Sequence, residues 1–199
     1  RLGDQPAPGA MFYMDFAGPL LKSVPHGFVC YVGVVCAGSG YGRLFPAFGM
    51  TALVATAALQ IMTADVATKM GLTSAYKPTV VRSDQGAAFT SQHFREFLGG
   101  KQITQSLATT YTPQQNSHIE RFWGIVFATA RVLLAAAHLP PSFHPFALQT
   151  AAWLSNRLPR PSRGNRSPFT LLTRSLAVLD SVYCFGCLCS VVVPVARRS

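Results

Sequence analysis

Negative charge is what this chain has least of. Only 7 Asp and Glu stand among 199 residues, against 17 Lys and Arg, giving a formal charge of +10. That surplus points to a polyanionic partner, most simply DNA or RNA, bound with an affinity that falls steeply with salt. Charged residues of both signs together make up only 12%, while 49% are apolar, which excludes a chain that is mostly disordered. Cysteine is sparse and odd in number, five in all, which argues against a disulfide scaffold at this length. Three of the five form Cys184-x-x-Cys187-x-Cys189, with no neighbouring Cys or His cluster to complete four zinc ligands. They read as small buried residues of a β-segment over Val182–Val193, in a reduced compartment. A leader-like hydrophobic run is missing too: Arg1–Ala10 is polar and rich in Pro and Gly. The Ala-rich stretch from Thr51 to Gly71 carries Asp65 and Lys69 with Gln60, Thr63 and Thr68, so it reads as a packed helix and not a membrane span. The absence of an initiator Met predicts a piece of a longer polypeptide.

What is present is enough apolar sequence for one domain of ordinary size. Met11–Leu20 reads as a central strand, Phe28–Ala37 as a second, and Arg43–Phe48 as a third after the Gly-rich turn 38–42. Short turns between them predict an antiparallel meander. Thr51 caps a long helix to about Met70. Thr79–Ser83 is a fourth strand, Ser91–Leu98 a short helix, and Ile103–Ala108 a fifth strand. The polar stretch from Thr109 to Ser117 reads as a loop. Apolar residues at Ile119, Phe122, Trp123, Val126, Phe127, Ala130, Leu133 and Leu134 follow the helical period until Pro140 and Pro141, and a last helix runs from about Ser142 to Leu154. The order β-β-β-α-β-α-β-α-α predicts an α/β fold, a mixed five-stranded sheet with helices packed on it. The organisation expected is a linker over 1–10, a core over 11–158, and an extension over 159–199. That extension holds a basic linker (Pro159–Ser167), a short helix and the β-segment.

Against the scarcity of acids, three have distinctive settings. Asp15 lies inside the apolar run Met11-Phe12-Tyr13-Met14-Asp15-Phe16, where an ionised carboxylate is costly without a partner. Asp84 ends a strand in Arg82-Ser83-Asp84-Gln85-Gly86. Glu120 follows Tyr111-Thr112-Pro113-Gln114-Gln115-Asn116-Ser117-His118-Ile119, with 35 residues between it and Asp84. Taken singly, Asp84 fits a turn and Glu120 fits a helix N-terminus. Taken together they suit phosphoryl transfer between nucleic-acid strands, where two Mg²⁺ ions about 3.5–4 Å apart activate the attacking oxygen and stabilise the leaving one. Mg²⁺ takes hard oxygen ligands, and such ions keep clustered carboxylates ionised. Arg121 lies about 100° round the helix from Glu120, pointing away from it and able to meet a phosphate.

These motifs resemble the integrase catalytic core of retroviruses and LTR retrotransposons, most closely the copia type. The likeness runs from Asp15-Phe16-Ala17-Gly18-Pro19-Leu20 through Arg82-Ser83-Asp84-x-Gly86 and Tyr111–Asn116 to Glu120-Arg121. It continues in Thr150–Pro159, Ser167-Pro168-Phe169 and Phe185-Gly186-Cys187-x-Cys189, so it spans nearly the whole chain. The resemblance implies an RNase H-like fold and a polynucleotidyl transferase of the Asp-Asp-Glu type. It implies Mg²⁺ or Mn²⁺, two ions, on Asp15, Asp84 and Glu120. It further implies integration of element DNA into target DNA, with Tyr111, Gln115, Asn116, Ser117 and Arg121 facing DNA. A homo-oligomer acting in the nucleus, with a cytoplasmic particle stage, no membrane and no small-molecule substrate, completes what it implies. The family's upstream His/Cys zinc module is missing, which fits a fragment of a Pol polyprotein.

Three departures keep a second reading open, that of a catalytically decayed remnant which still binds DNA. Ala87-Ala88 stand where an acid often precedes Phe89, Ser117 stands where Gly is usual, and Phe122-Trp123-Gly124 replaces a polar, basic continuation. A hydrolytic RNase H-type nuclease is a third reading, poorly matched by the Gln-Gln-Asn loop and the 35-residue spacing. On the Glu120 helix a second stripe, Ile125, Ala128, Val132 and Ala136, predicts burial by other helices or by a second subunit.

Overall fold

In a computed structural model of the protein, the described residues are 6–108, 117–180 and 182–188. Five strands form one sheet in the order β3-β2-β1-β4-β5: β1 (Met11–Ala17), β2 (Cys30–Cys36), β3 (Gly42–Ala47), β4 (Val80–Ser83) and β5 (Thr104–Leu107). The first three pair antiparallel, as the short turns predict, and β4 and β5 run parallel to β1. The sheet is mixed because β4 and β5 are each reached through helices, α1 (Ala52–Met70) before β4, and α2 (Ala87–Thr90) and α3 (Gln92–Gly100) before β5.

Alternation along β1 divides the molecule into two layers. Phe12 and Met14 face a core shared with Ala55, Leu59, Met62 and Val66 of α1 and Phe94 and Leu98 of α3. Tyr13 faces the other core, built on α4 (Ser117–Ala136) and α5 (His144–Arg157). All seven residues of β2 are buried, as befits a strand covered on both faces.

The helix ends follow local chemistry. Thr51 Oγ1 accepts from Val54 N at 3.3 Å and Gly71 closes α1 in the left-handed region, at φ 64°. Ser91 Oγ caps α3 by accepting from Phe94 N at 3.2 Å. Ser91→Ala is expected to lower stability by about 1 kcal/mol, read as a shift of the urea midpoint at unchanged slope.

Three expectations need correction. The helix of the Glu120 segment stops at Ala136, short of Pro140, with His138 turning at φ 53°. Residues 159–167 do not run free as a linker: Pro161–Arg163 form a 3₁₀ turn, and Arg160 bridges Arg166. Behind them α6 (Pro168–Thr173) sets Leu172 into the α1 core. No strand forms over 182–188, and Cys184 and Cys187 are exposed where buried residues were expected. Only Phe185 of that segment packs on the α4–α5 core. Cys189 and the rest of the expected β-segment lie outside the described residues.

Candidate active site

Two glycines bring α4 onto the sheet. A Cβ on Gly33 would lie 2.6 Å from Trp123 Cζ2, and one on Gly42 would lie 2.5 Å from Phe122 Cε2. The rings of α4 therefore occupy space that a side chain at position 33 or 42 would fill. Phe122 and Trp123, set down above as departures from a polar continuation, are core residues here, 1% and 7% exposed. Gly42 is also clasped by Asn156 of α5, whose Oδ1 accepts from Gly42 N at 2.9 Å and whose Nδ2 donates to Gly42 O at 2.7 Å.

That docking places Trp123 beside Asp15, because Gly33 is the register partner of Asp15 across β1 and β2. On the other side of β1, Met14 pairs with Ser83, so Asp15 and Asp84 follow one another off the paired ends of adjacent parallel strands. Asp84 Oδ1 accepts from Gly86 N at 3.0 Å, so the turn expected of Asp-Gln-Gly forms and fixes one carboxylate oxygen. Glu120 sits in the first turn of α4 and is exposed.

The electrostatics centre on Asp15. Its carboxyl is raised from 3.8 to about 6, first by burial and then by the negative charge of Asp84, with a smaller push from Glu120. The Phe16 backbone N–H and the Trp123 indole act the other way, favouring the carboxylate. Trp123 Nε1 is buried and makes no hydrogen bond of good geometry; it lies close enough to Asp15 to matter electrostatically without closing a bond.

Hard carboxylate oxygens repelling one another in a half-buried setting are a donor set that suits Mg²⁺ or Mn²⁺. Among the described residues, however, no group of three His, Cys, Asp or Glu side chains is gathered tightly enough to hold a metal ion. Asp15 and Asp84 are brought together, and Glu120 bears on them more weakly.

Of the residues expected to face DNA, Ser117 opens α4, half-buried, and Arg121 is exposed. Tyr111, Gln115 and Asn116 lie outside the described residues. Sequence reasoning missed the group beside Asp15. His118 stacks flat on Tyr13, with ring centroids 4.9 Å apart and planes 7° apart, and Arg82 lies over the same ring at 6.0 Å. Burial, then Arg163 and Arg121, push the His118 imidazole below its usual range. The signal for this group was Tyr13 standing two residues before Asp15, on the same face of β1.

No protein-family model matches the chain. The Retrovirus-related Pol polyprotein from transposon TNT 1-94 of Nicotiana tabacum is 32% identical over 119 residues, 60% of this chain and 9% of that protein. The Pro-Pol polyprotein of Feline foamy virus is 36% identical over 110 residues, 55% of this chain and 8% of that protein. The chain thus spans less than a tenth of the length of these relatives. Among solved structures, the HTLV-2 integrase catalytic core domain in complex with magnesium superimposes with a TM-score of 0.61 at 22% identity, covering 83% of this chain and 97% of that one. A simian T-cell lymphotropic virus intasome in complex with PP2A regulatory subunit B56 gamma gives a TM-score of 0.67 at 20% identity, covering 83% of this chain and 55% of that one. The fold is that of an integrase catalytic core, RNase H-like. In sequence the chain is thus similar to retrotransposon and retroviral Pol polyproteins, and in fold to retroviral integrase cores.

Proposed function

We propose that this chain is the catalytic core of an integrase, binding DNA and carrying out metal-dependent strand transfer. The observation that supports it most is Asp15 set beside Asp84, its carboxyl raised to about 6 by burial first, then by the charge of Asp84 and more weakly by Glu120. Such a site is short of positive charge at neutral pH, and a divalent cation supplies it. Asp15, Asp84 and Glu120 are the residues that would hold Mg²⁺ or Mn²⁺. The metal, when bound, supplies Lewis-acid stabilisation of the attacking and leaving oxygens. In the transfer itself, the 3′-oxygen of element DNA forms a bond to a target phosphorus and the target's own P–O3′ bond breaks. The proton of the attacking hydroxyl passes to solvent, and the new 3′-oxygen takes one up.

The chain's residues orient the reaction. The hydrogen bond from Gly86 N fixes Asp84 Oδ1, and the Trp123 ring on Gly33 walls Asp15 from the core side. Ser117 and Arg121 at the start of α4 are the residues proposed to face DNA, and Tyr111, Gln115 and Asn116 are assigned there by the resemblance alone. Element ends and target DNA are the proposed substrates. Nuclear action in a homo-oligomer is the proposed setting. Among the described residues Ala128, Val132 and Ala136 of the second α4 stripe are exposed, Val132 at 67%, while Ile125 is half-buried, and burial of the exposed part by a second subunit belongs to this proposal. Among the described residues no helix is long and apolar enough to cross a membrane.

One observation favours the remnant reading: the three acids do not close into a metal-holding cluster. A strand-transfer assay with Mn²⁺, with Asp84→Asn as control, separates the two. Metal-dependent joined product absent from Asp84→Asn is the expected result. Product no greater than the control's, from a chain that still binds DNA, selects the remnant.

A further inference from the structure

On another flank of α4 a cavity of about 220 Å³ gathers positive charge. Arg121 of α4 lines it together with Arg160 and Arg163 of the 159–167 segment, and His118 and Gly40 form part of its wall. Glu120 does not line it. The two arginines from the segment are held in place. Arg160 Nη2 donates to Ser155 Oγ at 2.7 Å and to Ser155 O at 3.3 Å. Arg163 Nη1 donates to Gly38 O at 2.8 Å. The Arg163 guanidinium lies so close over Gly40 that a Cβ there would be 3.0 Å from three of its atoms.

These tethers run to neutral oxygens, and those of Arg160 fix its guanidinium without offsetting its charge. Among the described residues the ion pairs all use Asp65, and none draws on Arg121 or Arg160. The convergence is costly. Burial, then Arg163 and Arg121, lower the Arg160 guanidinium from its usual range, and Arg163 is lowered mainly by burial, with Cys36 opposing and Arg121 adding to it. An oxyanion in the cavity would offset the repulsion among the three guanidiniums.

We propose that Arg121, Arg160 and Arg163 form a seat for one phosphodiester of a nucleic-acid backbone, separate from the acids. This rests on the nucleic-acid reading above. Planar guanidinium forks suit phosphate oxygens, and a tetrahedral group offers an oxygen to each of three converging donors. The basic segment Pro159–Ser167 is, on this view, a built wall of a backbone-binding site.

The test is a salt series of dissociation constants for a short labelled DNA duplex, read by fluorescence anisotropy. Arg121→Gln and Arg163→Gln are each expected to weaken binding about fivefold and to lower the slope of log K against log salt by about one. Because they share one phosphate, the double variant is expected to lose less than the product of the two, with its slope lowered by about one and not two. Arg95→Gln on α3 is expected to match wild type. Should Arg163→Gln fail to fold, Arg163→Lys, which keeps the charge and loses the fork, takes its place beside Arg121→Gln.

Losses that multiply, with a slope falling by one for each arginine removed, describe a diffuse basic surface and overturn the seat. Variants that bind DNA as wild type overturn it too, as does competition by inorganic phosphate at matched ionic strength with DNA affinity unchanged in the variants. Strand transfer absent from wild type, with the arginine variants still weakening DNA binding as expected, sinks the catalytic reading and leaves the seat standing. A wild-type chain that does not bind DNA overturns both readings.

Discussion

Trp123→Ala is expected to cost the fold about 3–5 kcal/mol, the usual range for truncating a buried Trp to Ala. The position sits at the upper end for a structural reason. Trp123 is 7% exposed and fills the space over Gly33, against Phe122 and Phe127 on its own helix. Gly33 offers no side chain to collapse into the void, and its strand is held by β1 and β3 on either side. Urea unfolding monitored by circular dichroism checks it: the midpoint should fall steeply at unchanged slope. Trp123→Phe retains most of the ring and is expected to lose far less. It also deletes the indole N–H that favours the ionised Asp15, so the Asp15 carboxyl should titrate higher than in wild type, as followed by carboxyl carbon NMR. A Trp123→Ala variant as stable as wild type would mean that α4 does not dock through this ring.

The same contact shows where sequence reasoning reaches and where it stops. Element order and the antiparallel meander were legible, because each depends on local periodicity and on strand and helix ends. Asp84 served both its readings, turn former and neighbour of Asp15, since a carboxylate has two oxygens and Gly86 N engages only Oδ1. The role of Phe122 and Trp123 was not legible. It depends on Gly42 and Gly33, about 80 to 90 residues earlier in the chain, and a close helix–sheet approach leaves no periodic trace. Arg163 read as part of a solvated linker for a related reason: its partner Gly38 lies 125 residues earlier and is set by tertiary folding, whereas Arg160 is tied locally, to Ser155 five residues before it. The cysteine run misled because its β-branched neighbours have strand propensity, which context overrides.

Asp15→Asn is expected to stabilise the metal-free chain at neutral pH by about 2 kcal/mol. The folded-state carboxyl titrates at about 6 against an ordinary 3.8, with burial and then the charge of Asp84 as the main causes. Between those two values the folded chain keeps a proton that the unfolded chain has released. The Asp15 contribution to stability is therefore most favourable below the ordinary carboxylate range, falls as pH rises from about 3.8 through about 6, and stays reduced above it. Asn, neutral at every pH and nearly the same shape, removes that loss. Unfolding in EDTA across this window should show the variant more stable at neutral pH and the two curves meeting below pH about 4, where Asp15 is neutral in both states. Mg²⁺ or Mn²⁺ should reverse the order. A cation bound only by the folded chain adds stability that grows with the logarithm of its concentration, and wild type would gain it while Asp15→Asn would not. A variant less stable than wild type in EDTA at neutral pH would mean that Asp15 is already paired without metal. If both chains gained equally from the cation, the metal would lie elsewhere. Asp84→Asn distinguishes the two causes of the raised value: it removes the neighbouring charge but not the burial, so it should recover part of the stability that Asp15→Asn recovers in full.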